Sequence, residues 1–334
     1  MHILVTGGAG YVGSHLVRAL LDEGHTVVVV DDLSSGHRVT LPDGVPLRVG
    51  RCGDTAVLDA AAAEAHPDAV MHLAARCSVS ESTQDPGLYY RANLGDSLVL
   101  LDWMVSRQVG TIVHSSTCAV YGHPGKQPID EQVPPDPINP YGATKLAVDR
   151  AIYFYGQAHG IGGVALRYFN AAGAHPAGDL GEDKTPASNL IPRLLEVALG
   201  QAPSAEIYGD DYPTPDGTGV RDYVHVTDLA AAHLAALALL ADGHPGGVFN
   251  LGTGKGQSVL EVVAAARQVT GRAIPLRIGM RRPGDPPCLV ADSRRANREL
   301  GWTPRRSELA TILNDAWSWR QKHPSGYATV EVCR

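Results

Sequence analysis

Cysteine pairs, long apolar runs and a leader segment are all missing from this sequence. The five cysteines are an odd number and include no Cys-x-x-Cys pair, which argues against a disulfide framework and a cysteine zinc cluster. The longest apolar stretch, Leu229 to Ala241, is interrupted by His233 and is too short to cross a bilayer, so it predicts a buried helix and no membrane partner. Because no basic and apolar leader precedes the first strand, we expect a cytoplasmic protein.

The sequence also lacks the features of a metalloprotein and of a nucleic-acid-binding protein. The 14 histidines include no His-Glu-x-x-His or similarly tight ligand pattern, so no metal site is expected. The net charge of −7 repels a nucleic acid on average, so no nucleic-acid partner is expected. A local arginine cluster can still hold one diphosphate, and small anionic ligands therefore remain possible.

The first half of the chain alternates short apolar strands with amphipathic helical segments. The predicted strands are His2 to Thr6, Thr26 to Asp31, Pro46 to Val49, Asp68 to Leu73, Thr111 to Ser115 and Gly163 to Tyr168. The predicted helices are Tyr11 to Glu23, Thr55 to His66, Leu88 to Gln108 and Tyr141 to His159. This alternation is typical of an α/β fold with a doubly wound parallel sheet, the Rossmann arrangement.

The pattern changes after Tyr168 to a polar, glycine- and proline-rich stretch that is followed by short mixed elements. We expect a smaller mixed α/β lobe there, which closes over the carboxyl edge of the sheet and binds substrate. The predicted division is a sheet domain of residues 1–169, a substrate lobe of residues 170–327 with some chain exchange between the two, and a tail of residues 328–334. The chain after His323 is expected to fray.

A glycine-rich turn follows the first predicted strand. The run Gly7-Gly8-Ala9-Gly10-Tyr11-Val12-Gly13 places glycines three residues apart between a strand and a helix, where backbone N–H groups can approach a pyrophosphate. The next strand ends about twenty residues on in Asp31-Asp32. An acid at that place accepts the ribose hydroxyls and repels a 2′-phosphate, so the sequence predicts a dinucleotide site that prefers NAD to NADP.

Catalytic chemistry is indicated by a tyrosine and a lysine four residues apart. Tyr141 and Lys145 share one face of a predicted helix, and the chain has only five lysines. The ammonium and the positive nicotinamide both lower the cost of a phenolate, so Tyr141 is a candidate general base. Ser115-Ser116-Thr117 ends a strand at the sheet edge where doubly wound folds bind ligands, and Thr117 can share a proton with that base.

These motifs together resemble the extended short-chain dehydrogenase/reductase family. Further segments are similar to the UDP-glucose/UDP-galactose 4-epimerases of that family, and the similarity runs from His2 to about Tyr327. The segments are Asp31-Asp32-Leu33-Ser34, Arg167-Tyr168-Phe169-Asn170, Gly173-Ala174-His175-Pro176, Gly217-Thr218-Gly219-Val220-Arg221-Asp222-Tyr223 and Arg282-Pro283-Gly284-Asp285.

The resemblance implies a reaction without net redox change, a UDP-hexose substrate and a homodimer. Tyr141 would remove the O4 proton while the C4 hydride passes to NAD⁺. Lys145 would lower the pKa of the Tyr141 phenol and hold the nicotinamide ribose. Thr117 would hydrogen-bond O4. The implied cofactor contacts are Gly7, Gly10, Tyr11, Val12, Gly13, Asp31, Asp32, Leu33, Ser34, Cys52, Leu73, Ala74, Asn93, Ser115, Tyr141, Lys145 and Tyr168. The implied substrate contacts are Thr117, Tyr141, Asn170, Asn189, Leu190, Tyr208, Arg221, Tyr223, Val259, Arg282, Asp285 and Leu289.

This chain departs from the family pattern at three positions. Arg51 stands where relatives carry an aspartate that contacts adenine, and Cys77, beside Arg76, stands where some relatives carry a lysine near the pyrophosphate. Both changes predict that NAD is held less tightly than is usual in the family. Leu289 stands where strict hexose epimerases often carry a tyrosine, which predicts room for a 2-acetamido group.

Other functions share part of these features, and some of them remain open. A uronate, pentose or N-acetylhexosamine 4-epimerase shares the C4 chemistry and differs only in the sugar pocket. A sugar-nucleotide 4,6-dehydratase is disfavoured because it needs an Asp-Glu pair after the strand-end threonine, and Thr117 is followed by Cys118-Ala119. An inactive NAD-binding sensor is disfavoured by the intact Thr117, Tyr141 and Lys145.

Overall fold

The computed structural model describes residues 1–63, 65–184, 187–282 and 284–327. The strands are β1 (His2–Thr6), β2 (Thr26–Asp31), β3 (Leu47–Val49), β4 (Ala69–His72), β5 (Thr111–Thr117), β6 (Gly162–Tyr168), β7 (Asn170–Ala172), β8 (Ala205–Tyr208), β9 (Val220–Arg221), β10 (Tyr223–His225), β11 (Gly246–Leu251), β12 (Gln257–Ser258), β13 (Leu276–Gly279) and β14 (Cys288–Leu289). The helices are α1 (Tyr11–Asp22), α2 (Thr55–Ala62), α3 (Val79–Gln84), α4 (Pro86–Tyr89), α5 (Asp96–Ser106), α6 (Pro140–His159), α7 (Leu190–Ala198), α8 (Val226–Ala241), α9 (Val259–Thr270), α10 (Arg294–Leu300) and α11 (Leu309–Lys322).

Seven parallel strands form the central sheet in the order β11-β6-β5-β4-β1-β2-β3. The chain builds outward from β1 in one direction through β2 and β3, and in the other through β4, β5 and β6. The strand order therefore reverses beside β1, which is where doubly wound sheets bind ligands at their carboxyl ends. The predicted doubly wound parallel fold is confirmed.

Helices cover both faces of this sheet because its strands are apolar on both sides. Ile3 and Val5 of β1 point to one face, where they join a buried cluster that includes residues of α1 and α8. Leu4 points to the other face, where it joins residues of α2, α5 and α6. Successive side chains of a strand alternate between faces, so β1 contributes to two cores at once.

The predicted helix Leu88 to Gln108 is wrong as a single helix. The structure has α4, then a π-helical turn at Tyr90–Gly95, then α5. A π turn inserts an extra residue that apolar periodicity does not reveal, and such turns are frequent at functional sites. The predicted helix Thr55 to His66 ends earlier, at Ala62, because Pro67 lies downstream and disfavours helical geometry before it; Glu64 lies outside the described residues.

The second half of the chain forms a smaller lobe and also returns to the main sheet. A separate buried cluster joins α7, α9 and α11 with β8 and β10. In contrast, α8 packs on α1, and β11 pairs with β6 at the edge of the main sheet. Within the described ranges, no helix is both long enough and apolar enough to cross a membrane.

Hydrogen bonds hold Tyr327, which corrects the expectation that the chain frays directly after His323. The Tyr327 phenol oxygen accepts a hydrogen bond from the Gly181 N–H at 2.8 Å, and the Tyr327 N–H donates to Asp183 Oδ2 at 2.7 Å. These contacts tie the end of the described chain to the loop after β7. The predicted tail of residues 328–334 lies outside the described residues.

Candidate active site

The glycine-rich turn between β1 and α1 has no room for side chains. A Cβ on Gly13 would lie 2.1 Å from the Gly7 carbonyl oxygen, and a Cβ on Gly7, whose φ is +75°, would lie 2.5 Å from the Ala74 nitrogen. Gly10 precedes α1, and within the described part of the chain no side chain caps this helix. The N–H groups of Tyr11, Val12 and Gly13 are therefore available to an anion, and the turn fits a dinucleotide pyrophosphate.

The two acids after β2 have different surroundings. Asp31 is buried and its carboxylate accepts hydrogen bonds from the Ala9 and Leu33 N–H groups, both at 2.9 Å. Burial raises the pKa of Asp31, while these two hydrogen bonds lower it. Asp32 is exposed and accepts from the Ser34 N–H at 2.9 Å. Asp31 therefore fixes the shape of the loop, and both acids keep lone pairs that can accept ribose hydroxyls.

The loop after β4 is tied to the π-helical turn through Asn93. Leu73 and Ala74 donate their N–H groups to the Thr6 carbonyl oxygen at 2.9 and 3.0 Å. The buried Asn93 amide accepts from the Arg76 N–H at 2.8 Å and donates to the Arg76 carbonyl oxygen at 3.0 Å. Asn93 also donates to Thr144 Oγ1 at 3.1 Å, which links this loop to α6. The structure thus places Leu73 and Ala74 on a loop at the carboxyl edge, and Asn93 on the π-helical turn that holds this loop.

Thr117 ends β5, and Tyr141 and Lys145 lie one turn apart at the start of α6. The Thr117 hydroxyl is near enough to the phenol of Tyr141 to lower its pKa, and Lys145 has only 3% of its surface exposed. A Cβ on Gly142 would lie 2.5 Å from the Ala119 carbonyl oxygen, so a glycine is required for α6 to pack this closely on the turn after Thr117. Tyr168 pairs with Thr117 in the β5–β6 register, and Ser115 Oγ hydrogen-bonds His233 Nε2 at 2.7 Å.

Burial dominates the ionisation of both candidate catalytic groups. It raises the pKa of Tyr141 well above 10, and the nearby Thr117 hydroxyl opposes that shift. Burial also lowers the pKa of Lys145 from 10.5 to about 8, and the Asp149 carboxylate opposes that shift. The protonated phenol is therefore favoured in the chain alone, and a cation bound beside it would favour the phenolate.

A buried polar network beneath Lys145 was not predicted from the sequence. Asp149, one helical turn after Lys145, accepts from Arg167 Nε at 2.9 Å. Arg167 also donates to the Tyr121 phenol oxygen at 3.0 Å, and that phenol donates to Asn250 Oδ1 at 2.7 Å. The spacing of four residues between Lys145 and Asp149 was the available signal, since it places both side chains on one face of α6.

The predicted substrate contacts lie on the short strands next to this centre. Asn170 and Tyr223 are register partners in the β7–β10 pair, and Leu289 and Arg221 are partners in the β9–β14 pair. Asp222 lies between the two groups, is fully buried and accepts from the N–H groups of Thr253, Gly254 and Ala291 at 2.8, 3.0 and 3.1 Å. Sequence reasoning quoted Asp222 in a motif but gave it no role.

The arginines of this region are already engaged by other side chains. Arg221 forms an ion pair with Asp285, and the guanidinium of Arg282 lies 3.8 Å from the centre of the Tyr208 ring. A base that packs on Tyr208 must therefore use the opposite face or displace Arg282. Pro283 of the same motif lies outside the described residues.

Three further predicted contacts border the same region. Asn189, just before α7, donates to Glu182 Oε1 at 2.6 Å, and Leu190 is the first residue of that helix. Val259 begins α9 and donates its N–H to the Gly219 carbonyl oxygen at 3.0 Å.

Comparisons with known proteins agree with this geometry. The chain matches the NAD dependent epimerase/dehydratase family over residues 3–252. The chain belongs to this family. It is 48% identical over 329 residues to a UDP-glucose 4-epimerase from Halalkalibacterium halodurans, with 98% of each chain covered. Among solved structures it is similar to a UDP-glucose 4-epimerase with a TM-score of 0.95, at 45% identity and with 98% of this chain and 100% of that chain covered.

A second solved structure comes from Bifidobacterium longum. That UDP-glucose 4-epimerase was crystallised in complex with NAD⁺ and UDP, and it matches with a TM-score of 0.94 at 40% identity, covering 98% of this chain and 100% of that chain. Membership of the family makes this chain an NAD-dependent enzyme of the epimerase type, so the predicted cofactor and the predicted resemblance are both confirmed.

The side chain of Arg76, the neighbour of Cys77, is directed to an acid. Cys77 is exposed, and 3.7 Å separate Arg76 Nη1 from Glu81 Oε1. Asn93 holds both backbone groups of Arg76.

We expect the purified enzyme to carry less than one NAD per chain. Added NAD should then raise activity, and Cys77→Lys should raise the NAD retained after desalting because a lysine attracts the pyrophosphate. The measurement is the NAD content of acid-released supernatants per chain. Cys288→Lys is the matched control, because this cysteine is half-buried in β14. If the wild-type preparation carried one NAD per chain and its activity did not change on addition of NAD, other contacts would suffice to hold the cofactor.

Proposed function

We propose that this enzyme interconverts UDP-galactose and UDP-glucose by oxidising and re-reducing carbon 4 of the hexose. The observation that carries the proposal is the placement of Thr117, Tyr141 and buried Lys145 where β5 ends and α6 begins, at the same sheet edge as a glycine turn that fits a dinucleotide. A phenol that is hard to ionise in the chain alone suits a base that must act only when the cofactor cation is present.

Each residue of the centre has a defined task in this proposal. Tyr141 takes the proton from the sugar O4, and Thr117 hydrogen-bonds the same oxygen and orients it. Lys145 contributes positive charge beside the phenolate, and Asp149 helps to keep Lys145 protonated. NAD, when bound at the glycine turn, would supply the hydride acceptor and donor that carbon 4 needs. Tyr141 gives its proton back to O4 at the end, and the reaction has no net redox change.

The UDP half of the substrate stays bound while the sugar ring rotates to present its opposite face. Arg221 and Arg282 are the cations that can grip the diphosphate, and the Tyr208 ring can pack on the uracil. Asp285 competes for Arg221, so diphosphate binding exchanges one ion pair for another. Asn170, Asn189, Leu190, Tyr223 and Val259 complete the proposed set of UDP contacts.

A substrate panel tests the proposal. The purified protein, without and with added NAD, is incubated separately with UDP-galactose, UDP-N-acetylgalactosamine, UDP-glucuronate and UDP-xylose, and the C4 epimers are separated by chromatography. We expect UDP-glucose from UDP-galactose as the main product. Turnover of the uronate or the pentose alone would replace this substrate assignment, and no turnover of any sugar would favour a binding protein without catalysis.

Leu289 bears on acceptance of a 2-acetamido group. It is 8% exposed and packs in a buried cluster with Cys118 and Phe169, the residues adjacent to Thr117 and Asn170. Its side chain is shorter than tyrosine and has no hydroxyl, which favours measurable turnover of UDP-N-acetylglucosamine beside the plain hexoses.

Replacing Leu289 with tyrosine should narrow the substrate range. We expect Leu289→Tyr to lower kcat/KM for UDP-N-acetylglucosamine by roughly 10-fold or more, the size typical of a group that no longer fits its pocket, and to spare UDP-glucose. Steady-state kinetics on both sugars measure this ratio. Leu289→Met keeps the volume and is the matched control. Equal losses on both sugars would show that Leu289 does not gate the pocket.

A homodimer is proposed through the apolar surfaces of α5 and α6. Tyr153 and Phe154 on α6 are 62% and 64% exposed, and Leu98 on α5 is 36% exposed. Phe154→Glu should convert a dimer to a monomer because it places a charge in the interface core. Light scattering at micromolar concentration measures the mass, and Ile278→Glu, on the exposed β13, should leave it unchanged. A monomeric wild type would remove this proposal.

We also infer a cytoplasmic location. Exposed Cys77 and half-buried Cys288 are free thiols, which suits a reducing compartment.

A further inference from the structure

An ion pair joins two loops at the β3 end of the cofactor cleft. Arg51 follows β3 and Asp96 is the first residue of α5. Arg51 Nε donates to Asp96 Oδ2 at 3.1 Å, and Arg51 Nη2 donates to Asp96 Oδ1 at 2.7 Å. The Arg51 side chain is 58% exposed, whereas that of Asp96 is only 14% exposed. This two-point geometry fixes the carboxylate plane more firmly than a single contact would.

The backbone around this pair leaves space for the carboxylate. A Cβ on Gly53 would lie 2.2 Å from Asp96 Oδ1, so a side chain at position 53 would displace Asp96. Beside the pair lies a cleft of about 390 Å³ that is lined by Arg51, Gly53, Asp54, Thr55 and Asp96. The pair therefore borders an open, polar cavity at the carboxyl edge of the sheet.

The cavity lies where the adenosine half of the dinucleotide is expected to bind. The pyrophosphate turn follows β1 and the ribose acids follow β2, so the adenosine runs outward along the sheet toward β3. The Asp96 hydrogen bond is the main cause that raises the pKa of Arg51, burial is the main cause that raises the pKa of Asp96, and the Asp32 carboxylate adds to both. The buried Cys52 follows Arg51 directly. Along the path of the adenosine, the side chains that follow the ribose acids are thus those of Cys52, Arg51 and Asp96.

We propose that Asp96 accepts a hydrogen bond from the 6-amino group of the NAD adenine, and that Arg51 holds the Asp96 carboxylate in position. A carboxylate has about four acceptor sites, and Arg51 uses two of them, so acceptor capacity remains for the amine. The acid that is missing at position 51 is in this way supplied from α5. This inference rests on NAD as the cofactor, and it is independent of which sugar is epimerised.

The proposal distinguishes adenine from a purine with a 6-oxo group. A 6-oxo group presents an acceptor, which a carboxylate acceptor repels, whereas a 6-amino group donates. The probe is nicotinamide hypoxanthine dinucleotide, which carries a 6-oxo group and an N1–H where NAD carries a 6-amino group and an unprotonated N1. Protein is equilibrated with an equimolar mixture of the two dinucleotides and desalted, and the bound ratio is measured by chromatography after acid release.

We expect wild type to retain NAD over the hypoxanthine analogue by about 10-fold, as when a hydrogen-bonding site meets a ligand that lacks the matching group. Asp96→Asn should bring the bound ratio to within about 3-fold, because the amide can donate to a 6-oxo group. Arg51→Ala should lie between the two. Asp59→Asn is the matched control, since Asp59 pairs with Arg107 at 2.7 Å on the same helix layer, and it should keep the wild-type ratio.

Two results would overturn the inference. One is a wild-type enzyme that retains both dinucleotides equally, and the other is an Asp96→Asn enzyme that is folded by circular dichroism and keeps the full wild-type preference. Failure of the proposed sugar chemistry is distinguishable, because the bound ratio is measured without any UDP-sugar.

Discussion

Tyr141→Phe is expected to fold and bind NAD but to lose on the order of 10²-fold or more in kcat for UDP-galactose. The phenol lies near Thr117 at the end of β5, and phenylalanine keeps the ring without the hydroxyl. A 10²-fold loss corresponds to about 2.8 kcal/mol of transition-state stabilisation. Steady-state kinetics with saturating NAD, together with the NAD content of the purified variant, measure both parts of this expectation.

The matched control for this loss is another tyrosine of α6. Tyr155 donates to Asp102 on α5 and is remote from Thr117. Tyr155→Phe should therefore retain near-normal turnover. If Tyr141→Phe instead kept near-normal turnover, the assignment of the general base would be wrong.

Lys145→Ala is expected to lower kcat on the order of 10²-fold near pH 7 and to move the rising limb of the pH profile upward. An opposite charge close to an acid lowers its pKa by about 1 to 3 units, so the phenolate of Tyr141 becomes harder to form without the ammonium. The pKa of Lys145 is itself lowered to about 8 by burial. Lys145 is charged below that pH, so wild type should lose activity as the pH rises above it.

The variant separates the two limbs of the profile. In Lys145→Ala the alkaline decline should disappear, because no ammonium remains to be deprotonated, and the rate should continue to rise with pH. Lys126→Ala is the control, since Lys126 is exposed and pairs only with the neighbouring Asp130 in the contacts described for it. If Lys145→Ala kept the wild-type pH profile, Lys145 would not be the group that lowers the pKa of Tyr141.

Much of the fold and the centre could be predicted from the sequence because their signals are local. Apolar runs define β1 and β2, glycine spacing defines the pyrophosphate turn, and the four-residue spacing of Tyr141 and Lys145 requires only a helix. The structure has that helix from Pro140 to His159. Local patterns of this kind need no knowledge of which distant residues meet.

Features that depend on distant contacts could not be predicted. Asp96 meets Arg51 across 45 positions, and Arg282 covers Tyr208 across a longer separation, so no window of sequence contains both partners. The π-helical turn around Asn93 breaks a helix whose apolar pattern continues through it. Tertiary packing decides such features, and single-sequence periodicity does not report it.

The central claim is that hydride leaves carbon 4 and returns to it within one closed site built around Tyr141. The most direct measurement uses UDP-galactose labelled with deuterium at C4, with the UDP-glucose product examined by mass spectrometry and NMR. The account predicts UDP-glucose that retains the label at C4, with no exchange into water. Loss of the deuterium to solvent, or its appearance at another carbon, would contradict it.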